Sequence, residues 1–184
     1  MNLTTIEIVN KTLKKRRQKE RVFRAAGLAS VLTGLAALVF LLHTIVGNGW
    51  GAFTQSYIQL PLKLDAQVLR IDNPLDEEEW DYANYAGVIK ASLRERFPEV
   101  TSRKQKRILY RLVSPGASFQ VKQLLDDRSL LGSEVTLWLP ADDDVDSLIK
   151  GYINRELPEK ERRVKDFALT LIDDLVSSGQ LERK

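Results

Sequence analysis

The residues with the longest chemical reach in this chain are cationic. Arg103, Lys104, Lys106, Arg107 and Arg111 fall within nine positions of one another. Arg103 and Arg107 stand one helical turn apart with Lys104 beside them, so these three are the candidate contact for an anion or a partner surface. A phosphate group is one occupant such a cluster suits. A solvated helix face with no ligand carries the same pattern. The acids group as well, at Asp142, Asp143, Asp144 and Asp146. A calcium loop of the EF-hand type needs a central Gly and a Glu at its twelfth position. Counting from Asp142, those positions hold Ser147 and Ile153. The acids therefore read as the cap and first turn of a helix, where they meet the positive end of its dipole.

Little else could do chemistry. There is no cysteine, which removes thiolate metal sites, disulfides and a Cys nucleophile. The single histidine, His43, lies in an apolar stretch and reads as an interfacial side chain. No G-x-S-x-G, phosphate loop or dinucleotide fingerprint is present. The expectation is a non-enzymatic protein with no catalytic, cofactor-binding or metal-ligating residues and no cofactor.

The stretch that holds His43 organises the chain. From Ala25 to Val46 there are 22 residues without a formal charge. As a helix they span about 33 Å, enough to cross a hydrocarbon core of about 30 Å. A cleavable signal peptide has a shorter apolar run, and a buried core helix shows a polar stripe. Ser30, Thr33 and Thr44 can return their hydroxyls to the helix backbone. Ala26, Ser30 and Gly34 recur at spacing four, a small-residue face that suits helix packing in a membrane; chance recurrence of common membrane residues is the competing reading.

Charge then divides the chain. Residues 1–46 hold eight Lys/Arg against two Asp/Glu, a net of +6, while residues 47–184 hold twenty against twenty-three, a net of −3. A basic face on the folded part is what nucleic-acid binding needs, so no nucleic-acid partner is expected. Lys14, Lys15, Arg16, Arg17, Lys19, Arg21 and Arg24 all precede the apolar run, and only Lys63 follows within twenty residues. The positive-inside rule places the N-terminus in the cytoplasm and residues 47–184 outside, which is the periplasm in a bacterium with two membranes. Three parts are expected: a basic cytoplasmic tail (1–24), a transmembrane helix (25–46) and an extracytoplasmic domain (47–184). Leu3, Ile6, Val9 and Leu13 give the tail an apolar stripe, consistent with a short amphipathic helix on the inner leaflet or with a solvated tail.

The domain reads as mainly α, of α+β type, with a few short strands. Trp50, Phe53 and Tyr57 suggest an aromatic belt at the interface. Ile58, Leu60, Leu62 and Leu64 alternate with polar residues and Pro61, the pattern of an edge strand. Val68, Leu69 and Ile71 suggest its partner. A helix is expected over 76–97 with Tyr82, Tyr85, Val88, Ile89 and Leu93 inward, stopped by Pro98. A second follows the cap at Thr101 or Ser102. A third carries Phe119, Val121, Leu124 and Leu125. Val135, Leu137 and Leu139 alternate as a strand. The helix after Asp142 is expected to run through Ile153, and Pro158 to open a last helix through Leu175, with Gly179 at its end.

Three motifs carry a resemblance. They are Asn48-Gly-Trp-Gly-Ala-Phe-Thr-Gln-Ser-Tyr-Ile-Gln-Leu60, Phe97-Pro-Glu-Val-Thr-Ser-Arg103, and Leu137-Trp-Leu-Pro-Ala-Asp-Asp-Asp-Val-Asp-Ser-Leu-Ile-Lys-Gly151. With the basic run before the apolar stretch, this order resembles the N-terminal region of PstA, the permease subunit family of phosphate ABC transporters, over roughly residues 14–184. The resemblance implies a bacterial inner-membrane location and a role in phosphate uptake. It also implies the lipid bilayer, a partner permease subunit, ATPase subunits and a periplasmic phosphate-binding protein as partners. The family's further membrane helices and its coupling loop have no counterpart here. The expected role is a non-catalytic, membrane-anchored interaction module, either part of a longer permease or a free-standing copy of its extension. A free-standing sensor of a small anion is the alternative.

Overall fold

The computed structural model describes residues 5–184, with side chains from Arg16 onward except those of Asn48, Trp50 and Ala52. The protein is mainly helical, with one long apolar N-terminal helix and a small three-stranded sheet. Two compact units divide it, residues 1–51 and 52–184.

The first unit is built on α1, a 45-residue helix from Thr5 to Gly49. At 1.5 Å per residue it is about 67 Å long, roughly twice a hydrocarbon core. The tail and the apolar run are therefore one unbroken helix, not a separate surface helix followed by a span. No Pro interrupts 5–49, and Glu20 and Arg24 pair across one turn at 2.6 Å. Within α1, Arg16–Gly47 is long and apolar enough to cross a membrane, with a best-window mean hydropathy of 2.3 and none of that window buried. The Ser30, Thr33 and Thr44 hydroxyls donate to the carbonyls of Ala26, Ala29 and Phe40. Leu3, and the side chains of Ile6, Val9 and Leu13, lie outside the described residues. Gly47, Asn48 and Gly49 close the helix, and a 3₁₀ turn, Trp50–Phe53, follows. The side chain of Trp50 is also outside the described set. Phe53 is exposed, and Tyr57 lies half-buried on the sheet.

The second unit begins with β1 (Ser56–Lys63), whose Ile58, Leu60 and Leu62 are fully buried. Fully burying such a side chain stabilises the fold by about 1.5–3 kcal/mol. The sheet order is β2-β1-β3, with β2 Glu134–Pro140 and β3 Leu181–Arg183, both antiparallel to β1. β1 is thus central, not the edge that Pro61 suggests. β3 pairs only with Ser56–Ile58, so the chain is open on that side at Pro61, where a missing N–H costs no ladder bond.

Val68, Leu69 and Ile71 do not form a strand. Asp65 caps the short helix α2 (Ala66–Leu69) by accepting from the Gln67 N–H at 2.8 Å, and Arg70 ends it in the left-handed region at φ 62°. The helix expected over 76–97 is two: α3 (Glu77–Asp81) and α4 (Tyr85–Arg96). Asn84 makes the break. Its side chain accepts from the Gly87 N–H at 3.1 Å and donates to the Val68 carbonyl at 3.2 Å, tying the corner to α2. A Cβ at position 87 would collide with the Asn84 side chain, so only glycine leaves room for this cap. Tyr82, expected inward, is exposed, and Tyr85 turns in to donate its hydroxyl to the Trp80 carbonyl at 2.5 Å.

After Pro98 come α5 (Arg103–Leu109) and α6 (Ala117–Leu124); Phe119 is exposed and Val121 buried. α7 (Asp143–Ile149) ends before Ile153, because Gly151 takes φ 79°. Pro158 opens only a 3₁₀ turn, Glu159–Glu161, and α8 starts later, at Asp166, leaving Val164 buried in the connecting loop. Past α8 (Asp166–Ser177), Gly179 at φ 71° lets the Gln180 N–H reach the Leu175 carbonyl, and the chain turns into β3, a strand with no expectation behind it. α4 packs on β1, α6 on α4 and β2, and α5 on α8. Leu93, Leu109, Leu139, Ile172 and Leu175 fill the space between them.

Candidate functional site

Ser102 is the N-cap of α5. Its Oγ accepts from the Gln105 N–H at 3.2 Å and donates its own proton to the Gln105 side-chain oxygen at 2.8 Å. Leu109 then anchors the helix in the core and Ile108 sits half-buried beside α8. That leaves Arg103, Lys104 and Arg107 exposed, and no carboxylate lies within ion-pair distance of them among the described residues. The structure does not bring the three together around one point. Lys104 alone lines a groove, with Ser102, Gln105 and Ile108 from α5 and Glu159, Lys165 and Phe167 from the loop and first turn of α8. The groove holds about 560 Å³, within the range of ligand clefts.

A second, smaller cleft of about 80 Å³ adjoins it, sharing Ile108 and Lys165. Arg111, Arg163, Asp142 and Asp144 also line this cleft. Arg163 approaches the Asp144 carboxylate to 2.5 Å, without the alignment of a hydrogen bond, and Arg111 lies 3.7 Å from it. Lys165 reaches back to donate to the Glu159 carbonyl at 2.8 Å. Arg163 and Lys165 are absent from any reading of α5 alone. Their signal is the run Lys160-Glu-Arg-Arg-Val-Lys165, which a continuous helix from Pro158 would spread around its circumference. The break at 162–165 instead sets Lys165 beside α5.

The acidic group is divided among structural tasks. Asp142 caps α7 through the Asp144 N–H at 3.1 Å, and Asp144 neutralises two arginines. Asp146 accepts from the Ser56 N–H at 2.8 Å and pairs with Lys150 at 2.5 Å. Burial pushes the Asp146 carboxyl up, but the bonds from Lys150 and Ser56 outweigh it and hold it below its ordinary value. No group of metal-ligating side chains assembles among the described residues.

On α1, Ala26, Ser30 and Gly34 lie one turn apart on an exposed face, and a Cβ at Gly34 would meet nothing. The Ser30 hydroxyl is already donated to the Ala26 carbonyl, so what this face offers a second helix is close approach more than a free donor.

The family model of a domain of unknown function, DUF3333, matches residues 10–159, which is most of the chain. The chain belongs to the DUF3333 family. The DUF3333 match begins inside α1 and ends in the 3₁₀ turn at Glu159. It therefore includes the apolar helix, both long strands and α5, while α8 and β3 complete the same core from beyond the matched residues. No curated protein and no solved structure matches this DUF3333 chain.

Proposed function

We propose that this protein is a non-enzymatic, membrane-anchored interaction module. α1 crosses the bacterial inner membrane once with its N-terminus in the cytoplasm, and the domain of residues 52–184 works on the periplasmic side. The observation that carries this reading is the one-sided charge around an exposed apolar helix. Arg16, Arg17, Lys19, Arg21 and Arg24 crowd its N-terminal flank, and no Lys or Arg occurs again until Lys63. Exposed Leu28, Val31, Leu35, Leu38 and Phe40 are apolar surface that lipid would cover.

The resemblance of the three motifs to phosphate transporter permeases supplies the setting. In that setting the module serves phosphate uptake by contacting the partner permease subunit or the periplasmic phosphate-binding protein. Its exposed, dispersed cations Arg103, Lys104 and Arg107 suit a protein partner better than a single phosphate, which needs converging, partly desolvated donors. The full chain in detergent should co-purify with the phosphate-binding protein, and titration of the chain with inorganic phosphate alone should release no binding heat. Absence of the complex both with and without phosphate would remove the transporter role. A saturable phosphate heat would favour the anion-sensor reading.

A further inference from the structure

Two cationic runs that are distant in sequence meet along the α5–α8 seam. Lys104 from α5 and Lys165 from the loop before α8 line the same groove, and Arg111 and Arg163 line the cleft that adjoins it. Arg103 and Arg107 flank the groove from exposed positions on α5. This seam sits on a stretch, 47–184, whose net charge is −3, so its cations are a local cluster and not part of a generally basic domain. Asp142 caps α7 and Asp144 neutralises Arg111 and Arg163, so the seam's remaining charge is that of Arg103, Lys104, Arg107 and Lys165 against Glu159. Beneath the cations lie Ile108 and Phe167, both half-buried.

We propose that this seam is a docking groove for an acidic segment of a partner protein, anchored by an apolar side chain over Ile108 and Phe167. Electrostatic complementarity of this kind speeds association and selects partners, while the apolar contact supplies retention. A small anion is a poorer fit, because the cations are strung along two elements and do not converge. A lipid headgroup layer is poorer too, because the apolar residues lie in a groove and not on a projecting face. The groove names the surface through which the interaction role proposed above would act, and its test is independent of the transporter setting.

The test uses the full chain in nanodiscs of zwitterionic lipid and a short fluorescent peptide alternating Glu and Leu, read by anisotropy. The peptide should bind, an all-Glu peptide should bind more weakly, and added salt should weaken both. Lys104→Glu with Lys165→Glu should weaken the Glu–Leu peptide roughly tenfold or more, and so should Lys104→Glu with Arg107→Glu, which leaves the loop before α8 untouched. Arg70→Glu, a reversal at the exposed residue that ends α2, should leave binding unchanged. Equal binding by parent and both double variants would overturn the proposal. So would displacement of the peptide by inorganic phosphate or by phosphatidylglycerol vesicles as readily as by unlabelled peptide. If the peptide binds as described while the phosphate-binding protein does not co-purify, the groove stands and the transporter setting falls.

Discussion

Asp146→Ala is expected to lower the stability of the 52–184 domain by about 1.5–3 kcal/mol, the range for losing hydrogen bonds to a charged, partly buried group. Its carboxylate is 16% exposed and the Lys150 side chain only 9%. Removing Asp146 strands the Lys150 ammonium with little water to replace its partner. It also orphans the N–H of Ser56, a fully buried residue at the start of β1. The melting temperature should fall by roughly 5–15 °C in a domain of this size. Asp143→Ala, an exposed neighbour, should change stability by no more than about 0.5 kcal/mol. Asp146→Leu combined with Lys150→Met should recover much of the loss, since an apolar pair avoids the desolvation that the ion pair must offset. The sign of the pH dependence follows from the lowered carboxyl. Asp146 binds its proton more weakly when folded than when unfolded. Its contribution is therefore complete above the ordinary value of 3.8 and is lost as the pH falls through the lower folded value. Parent and Asp146→Ala should differ widely at neutral pH and converge in strong acid. Parallel acid-unfolding curves, measured by circular dichroism, would contradict this assignment.

The second large effect concerns α1. Replacing a central Leu by Arg costs membrane insertion about 3 kcal/mol on the insertion scale, roughly a hundredfold. A strongly apolar helix can absorb one such change by snorkelling, so Leu35→Arg is expected to reduce membrane insertion only in part. Leu35→Arg with Leu38→Arg, about 6 kcal/mol together, should move most of the chain out of the carbonate-resistant membrane fraction. Gly34→Leu should leave insertion intact, because nothing stands where its side chain would go. An unchanged membrane fraction for the double Arg variant would mean that α1 does not cross lipid.

The sequence is most legible where a period and a burial requirement coincide. Ile58, Leu60 and Leu62 alternate because one face of β1 is core, and Val88, Ile89 and Leu93 repeat at helical spacing because α4 lies on that face. It is least legible where a single side chain decides against propensity. Val68, Leu69 and Ile71 favour strand by type, yet the Asp65 cap and the left-handed Arg70 fold them into a turn of helix. Asn84 splits a periodic stretch in two because its amide bonds Gly87 and Val68 at once. β3 is three residues long, too short for any period, and forms because Gly179 aims the chain back at Ser56–Ile58.

The same limit governs the groove. The cations of α5 stand out as a cluster, but Lys165 joins them only because the chain breaks between Pro158 and Asp166, and nothing in the spacing of Lys160 to Lys165 announces that break. Asp142, Asp144 and Asp146 read correctly as a helix start from their position after Pro140. Their separate partners, Arg163 and Ser56, are tertiary contacts that no local pattern contains.

The chain's lack of cysteine permits one direct test of the single crossing. Lys90→Cys places a unique thiol at an exposed position of α4, and Lys19→Cys places one on the basic flank of α1. Cells with a permeabilised outer membrane are treated with a membrane-impermeant maleimide before and after lysis. Labelling at position 90 in intact cells, with position 19 reactive only after lysis, is the expected result. Labelling at 19 before lysis, or protection of 90 until lysis, would contradict it.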